Sequence, residues 1–188
     1  SEYQHNNEFR ISILMLVAML PAGFIGLLLR DQISELFSQP FMVSIALIFT
    51  GSMLLSTMYF KKSDKPIDLK KALLIGFAQA LALAPGISRS GSTISMALGL
   101  GVKQEEAARF SFIMVLPLIV AATVLEFLDL LEVGISSDQV SILLIGLIIS
   151  FVVGIFSLKW LLQLLKRGKF HYFAWYCFTI ALIGLFYF

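Results

Sequence analysis

Residues 72–101 read ALLIGFAQALALAPGISRSGSTISMALGLG. Two apolar stretches, Ala72 to Ala84 and Ile94 to Leu100, flank a Pro85-Gly86 pair and a polar run, Ser88-Arg89-Ser90-Gly91-Ser92-Thr93. The first stretch holds about 13 residues, roughly 20 Å of helix at 1.5 Å per residue. Crossing a hydrocarbon core of roughly 30 Å takes about 20 residues. Pro-Gly is a strong breaker. Two half-length helices around a polar turn describe a re-entrant hairpin. Non-helical backbone survives at membrane depth only where it is buried in protein or lines a wet cavity.

The rest of the chain supplies the membrane setting. Of its 188 residues 59% are hydrophobic and 14% charged, against about 45–50% and about 25% in soluble domains. A soluble core of this size could not hide that much apolar surface. Full-length apolar spans are predicted at Ile11 to Leu29, Phe41 to Phe60, Phe110 to Leu128, Val140 to Leu158 and His171 to Phe188. The first carries Pro21, which predicts a kink, and the third carries Pro117. The last opens on a His-Tyr-Phe-Ala-Trp-Tyr cluster of the kind found in interfacial aromatic belts. The expected fold is an all-α polytopic membrane protein, about five transmembrane helices plus one re-entrant hairpin, in one transmembrane domain over residues 1–188.

Loop charges set the topology. Lys61 to Lys71 holds five lysines against Asp64 and Asp68. Lys159 to Lys169 holds Lys159, Lys166, Arg167 and Lys169 and no acid. Asp129 to Asp138 holds Asp129, Glu132 and Asp138 and no base. The positive-inside rule places the first two loops in the cytoplasm and the third outside. An odd number of crossings must then separate Lys71 from Asp129. Phe110 to Leu128 is one, so residues 72–101 go in and return. Parity alone does not separate a hairpin from two full crossings; the short lengths favour the hairpin. The same count puts the N-terminus inside and the C-terminus outside.

The net charge of +2 and the lack of a basic stripe give no sign of a nucleic-acid partner. Cys177 is the single cysteine, so neither an intrachain disulfide nor a multi-cysteine metal site can form. The head, SEYQHNNEFR, is not a secretory signal. The chain starts with Ser1 rather than Met, which predicts a longer chain upstream.

Arg89 carries the chemistry. An intramembrane arginine is costly and is a functional-site hypothesis by default. Gly86 and Gly91 let backbone N–H groups approach a ligand. Ser88, Ser90, Ser92 and Thr93 supply hydroxyls. Ser90 or Ser92 is expected to cap a helix beginning near Thr93, and a helix N-terminus is an anion site. Guanidinium grips phosphate in bidentate fashion. The ligand expected is a phosphate at membrane depth, on a phospholipid or prenyl phosphate. The bland alternative is that Arg89 pairs with a carboxylate of another helix and that the hydroxyls satisfy carbonyls of the broken helix.

The stretch Gly76-Phe-Ala-Gln79 through Pro85-Gly-Ile-Ser88-Arg89-Ser90-Gly-Ser92-Thr93 resembles the second signature of the bacterial undecaprenyl-diphosphate phosphatases, the BacA/UppP family. Gln104-Glu105-Glu106-Ala-Ala-Arg109-Phe-Ser111-Phe and Leu116-Pro117 resemble it too. The resemblance runs along the whole chain as the C-terminal two-thirds of such a protein. It implies hydrolysis of undecaprenyl diphosphate to undecaprenyl phosphate and inorganic phosphate, recycling the carrier lipid of cell-wall synthesis and bearing on bacitracin resistance. It implies a fold of two inverted repeats, a location in the bacterial plasma membrane, and a divalent cation, magnesium or calcium, with unknown ligands. Motif position by position, it implies catalytic roles for Arg89, Ser88, Ser90 and Thr93. Gly86, Gly91, Ser92 and Gln79 are the expected substrate contacts. A homodimer is an open expectation. The family's first motif, glutamate-rich with Pro, Ser/Thr and His, has no match here: neither His5 nor His171 stands in such a context. Half of the constellation is therefore expected upstream.

Other polar groups have plainer readings. Glu105 and Glu106 are adjacent and do not face each other on a helix; Glu105 to Arg109 reads as an i,i+4 ion pair. Glu126, Asp129 and Glu132 read as a solvated cap. Gln79 either faces the site or hydrogen-bonds a neighbouring helix. Gly76, Gly99, Gly101 and Gly146 read as close-packing positions, and the seventeen Phe as packing, lipid-facing bulk or a groove for a prenyl tail. The rival functions are a transporter or flippase for a prenyl phosphate lipid, since broken helices at the midplane also build transporters, and a non-catalytic membrane subunit.

Overall fold

The computed structural model describes residues 2–61, 63–133 and 137–187, with side chains except at 2–8, 131–133 and 137–139. Every regular element among them is helical. The α-helices are α1 (Glu2–Leu28), α2 (Arg30–Leu36), α3 (Pro40–Ser56), α4 (Leu69–Leu81), α5 (Arg89–Gly99), α6 (Gln104–Val133), α7 (Ser137–Lys166) and α8 (Tyr172–Tyr187), with a 3-10 turn at Thr57–Tyr59.

The hairpin is α4 and α5. Asp68 starts α4 by accepting the Lys71 N–H on its carboxylate at 2.8 Å, an ordinary N-cap. The two helices have 13 and 11 residues, about 20 and 16 Å at 1.5 Å per residue, too short to cross. Their outer ends come back to one place. The Lys65 N–H, just ahead of α4, donates to the Gly101 carbonyl, just past α5, at 3.0 Å. Gly101 turns the chain there at φ +80°, a conformation open to glycine. That bond shows that the segment enters and returns at the same end, and the two helices, too short to cross, make it a hairpin rather than two full crossings.

The hairpin is the middle of the molecule. Ala72, Ile75, Ile94 and Ala97 are buried with Ala18 of α1 and Ala107, Ala108, Phe110 and Met114 of α6. Small residues permit the close approach. A Cβ on Gly76 would strike the Ala18 carbonyl, so α4 lies directly on the α1 backbone. A Cβ on Gly51 would lie 2.7 Å from Phe178 Cε1, which fixes α3 on α8. Gly146 meets nothing within 4 Å, which corrects its reading as a packing position: it lies on an outward helix.

Among the described residues four helical stretches are long and apolar enough to cross a bilayer: Phe9–Leu28, Pro40–Tyr59, Gln104–Leu130 and Val140–Lys166. The fifth expected span is shorter than predicted. Of the aromatic cluster only His171 lies in the turn before α8, and α8 keeps 16 residues, about 24 Å. Helix α2, seven residues none of which is buried, was not anticipated. Pro21 and Pro117 sit inside continuous helices. Residues 140–160 of α7 are exposed throughout although almost wholly apolar, a surface suited to lipid. The chain is an all-α, multi-pass membrane protein.

Candidate functional site

The site grows from the turn 82–88 between α4 and α5. Gly86 takes φ +88°, and a Cβ there would lie 2.5 Å from the Val43 carbonyl and 2.9 Å from Ala46 Cβ. Only glycine lets the turn press on α3 this way. One helical turn further along α3, the Thr50 hydroxyl donates to the Gly86 carbonyl at 2.9 Å and accepts the Ser88 N–H at 3.1 Å. The turn is thus held at both ends by α3.

Helix α5 begins earlier than expected. Its N-cap is Ser88, whose Oγ accepts the Gly91 N–H at 3.1 Å, so neither Ser90 nor Ser92 is the cap. The polar run is helix rather than loop. Gly91 is small because the capping side chain folds over it: a Cβ there would lie 2.9 Å from Ser88 Oγ. The Ser92 N–H and hydroxyl both donate to the Ser88 carbonyl, at 2.8 and 2.9 Å. No partner among the described residues takes the N–H groups of Arg89 and Ser90. A helix start with unpartnered N–H groups and its positive dipole end is suited to an anion.

Arg89 turns toward α6, where its Nη1 donates to the Ser111 carbonyl at 3.2 Å. It is half-buried, and among the described residues no carboxylate pairs with it. Guanidinium has five N–H donors, and one is engaged. The ion-pair half of the alternative reading is therefore not realised among these residues, while its other half holds for Ser92 and Thr93, whose hydroxyls donate to the Ser88 and Arg89 carbonyls. Thr93 is fully buried; its hydroxyl donates to the Arg89 carbonyl at 2.9 Å or shares a proton with Ser111 Oγ at 2.5 Å.

Ser88, Ser90, Gly86, Gly91 and Thr50 form the polar end of a cavity of about 570 Å³. Leu161, Trp160, Phe170, Phe173 and Tyr176 from the α7–α8 corner form its apolar wall. Trp160 and Phe173 meet edge-on at 5.8 Å. The structure brings Gly86, Ser88, Ser90 and Gly91 together on one surface, whereas the Arg89 side chain, turned toward α6, is not among the residues that line it. Ser92, Thr93 and Gln79 are buried behind it, and Gln79 Oε1 has no partner among the described residues. Thr50 and Ser111 were not anticipated as site residues. Ser111 stood in a quoted motif. Thr50 carried no distinguishing signal, since its span also holds Ser44, Ser52, Ser56 and Thr57.

The carboxylates lie elsewhere. Exposed Glu105 pairs with Lys166 of α7 at 3.1 Å, where an i,i+4 partner on its own helix was expected. Glu126 and Asp129 are exposed, while the side chain of Glu132 lies outside the described residues, as do Lys62 and the His5 side chain. No group of three His, Cys, Asp or Glu among the described residues could hold a metal ion. The turn offers hydroxyls, N–H groups and a guanidinium. That donor set fits an oxyanion and does not fit a divalent cation, which takes oxygen ligands, mainly carboxylates.

The family described as Bacitracin resistance protein BacA matches residues 1–183. The undecaprenyl-diphosphatase of Salinibacter ruber is 39% identical over 185 residues, covering 98% of this chain and 68% of that protein. The enzymes of that name from Alkaliphilus metalliredigens and Bacteroides fragilis are 36% and 35% identical, over 95% and 98% of this chain and 66% and 71% of their own lengths. The chain thus spans about two thirds of the length of these relatives. A hairpin returning to its own end, an arginine at the start of its second helix with no carboxylate partner among the described residues, and this likeness along nearly the whole sequence agree: the chain belongs to the BacA family.

Proposed function

We propose that this chain carries the phosphate-holding half of a membrane phosphatase that hydrolyses undecaprenyl diphosphate. The observation behind the reading is Arg89: a half-buried cation with no carboxylate partner among the described residues, at the start of a helix with two unpartnered N–H groups. An anion placed there satisfies both. The neighbouring cavity joins that polar end to an aromatic and aliphatic wall, as a phosphate ester on a hydrocarbon chain requires. The names of the relatives supply the substrate.

In this mechanism water attacks the terminal phosphorus. The bond to the bridging oxygen breaks, and undecaprenyl phosphate leaves with inorganic phosphate. Phosphoryl transfer is mainly positioning and electrostatic stabilisation. Arg89 and the N–H groups of Arg89 and Ser90 take the charge gathering on the phosphoryl oxygens. The Ser90 hydroxyl donates from the cavity wall, and Gly91 keeps the approach open. Ser88 caps the helix that aims these groups; Ser92 and Thr93 support it from behind. A serine nucleophile needs an adjacent base, and none hydrogen-bonds Ser88 or Ser90 among the described residues. Water is therefore the nucleophile proposed. The divalent cation implied by the family has no carboxylate set in this chain's described residues, so no step is assigned to it.

The proposed setting is the bacterial plasma membrane, lysine-rich loops in the cytoplasm, with pairing into a homodimer left to measurement. The test is incubation with undecaprenyl diphosphate in detergent, with magnesium, with calcium and with chelator, followed by mass spectrometry of the lipid. It is run on this chain and on one extended upstream to the length of its relatives. Undecaprenyl phosphate is the expected product. Unchanged diphosphate from a folded, extended protein in every condition would sink the reading.

A further inference from the structure

We propose that Thr50 of α3 is a positioning residue for the phosphate site, an inference that rests on the reading just given. Its behaviour differs from that of six other helical hydroxyls. Ser44, Ser52, Ser56, Thr57, Thr123 and Thr179 each donate back to a carbonyl three or four residues earlier on their own helix. Such back-bonding is the default for a hydroxyl in a membrane helix. Thr50 leaves its own helix. Its one proton goes to the Gly86 carbonyl, 36 positions away, and its oxygen accepts the Ser88 N–H, 38 positions away.

Those two groups bracket the turn that starts α5. Gly86 presses on α3 one turn away from Thr50, and Ser88 is the cap that sets the helix start. The N–H groups of Arg89 and Ser90 follow directly, so their aim is fixed by the hydroxyl. Thr50 is itself fully buried. Its neighbour Gly51 seats α3 against the Phe178 ring, which fixes the rotation of α3. The chain from α8 packing to Thr50 to the Ser88 amide to the free N–H pair is continuous. Thr50 touches no reacting atom in this account. It acts by holding those that do, and a misplacement of about 1 Å can cost on the order of 10²-fold in rate.

The experiment uses the chain extended to the length of its relatives, in detergent, with two readouts. One is phosphate release from undecaprenyl diphosphate, resolved into kcat and KM. The other is hydrogen exchange over residues 82–93. Thr50→Val keeps the shape and deletes both bonds; Thr50→Ser keeps both bonds and deletes a methyl. Ser52→Ala removes a hydroxyl from the same helix that bonds only the Ile48 carbonyl. The expected result is a kcat lowered about 10²-fold in Thr50→Val, KM moved less than kcat, and faster exchange at the turn. Thr50→Ser restores rate and protection, and Ser52→Ala resembles wild type. Thr50→Val within threefold of wild type in kcat with unchanged exchange overturns the proposal. Should Thr50→Val not fold, Thr50→Ser decides: an active protein supports the hydroxyl, and an inactive one overturns it. A folded wild type that releases no phosphate defeats the phosphatase reading instead, and exchange at the turn then tests the Thr50 clamp alone, unchanged exchange in Thr50→Val overturning it.

Discussion

Arg89 crosses from α5 to α6 to donate its Nη1 to the Ser111 carbonyl at 3.2 Å, and the hydroxyl of that same Ser111 meets the Thr93 hydroxyl at 2.5 Å. One residue of α6 thereby anchors both the cation and the back of the helix that carries it. The anchor for Arg89 is main chain, which a side-chain substitution leaves in place.

Ser111→Ala separates these two roles. It removes the Thr93 contact, while Thr93 keeps its bond to the Arg89 carbonyl. The expected cost is about 1 kcal/mol, the usual net worth of one hydrogen bond, seen as a lower melting temperature in detergent. The rate of phosphate release should change by less than tenfold. A collapse in rate without loss of stability would show that the Ser111 hydroxyl acts on substrate.

Gly86→Ala should be among the most damaging small substitutions. The left-handed backbone at φ +88° costs an alanine roughly 1–2 kcal/mol. The new methyl must also displace the Val43 carbonyl or Ala46. Both melting temperature and activity are expected to fall, because the turn leaves α3 and Thr50 loses its partners. Wild-type behaviour of Gly86→Ala would contradict the turn geometry.

Gly76 and Gly146 make a matched pair. A methyl at Gly76 meets the backbone of Ala18, and one at Gly146 meets nothing within 4 Å. Overpacking typically costs 1–3 kcal/mol, so Gly76→Ala should lower the melting temperature by opening α1 from α4. Gly146→Ala should stay within about 0.5 kcal/mol of wild type, as outward substitutions do. Equal effects at the two positions would refute the α1–α4 packing.

The hairpin was legible because its signal is coarse: two apolar runs too short to span, split by Pro85-Gly86 and a polar run. Arg89 was legible because a charge at membrane depth needs a reason. Thr50 was not, since a threonine in an apolar span looks the same whether it bonds its own helix, as Thr123 and Thr179 do, or holds another segment. The start of α5 was misplaced for a related reason. Serine and glycine are poor helix formers, so residues 88–93 read as loop. The Ser88 cap and the back-bonding of Ser92 and Thr93 make them helix. The Glu105 partner was misassigned because only the tertiary structure brings Lys166 of α7 beside the start of α6.

The most direct test of the account compares phosphate release from undecaprenyl diphosphate by wild type and Arg89→Ala, in the chain extended upstream to the length of its relatives. Removing one charge-stabilising donor typically costs about 10²–10³ in rate, and a loss of that size with a stability lowered by no more than the worth of one hydrogen bond, about 1 kcal/mol, is the result predicted. An Arg89→Ala protein that releases phosphate within threefold of wild type would contradict the assignment of this turn as the phosphate site.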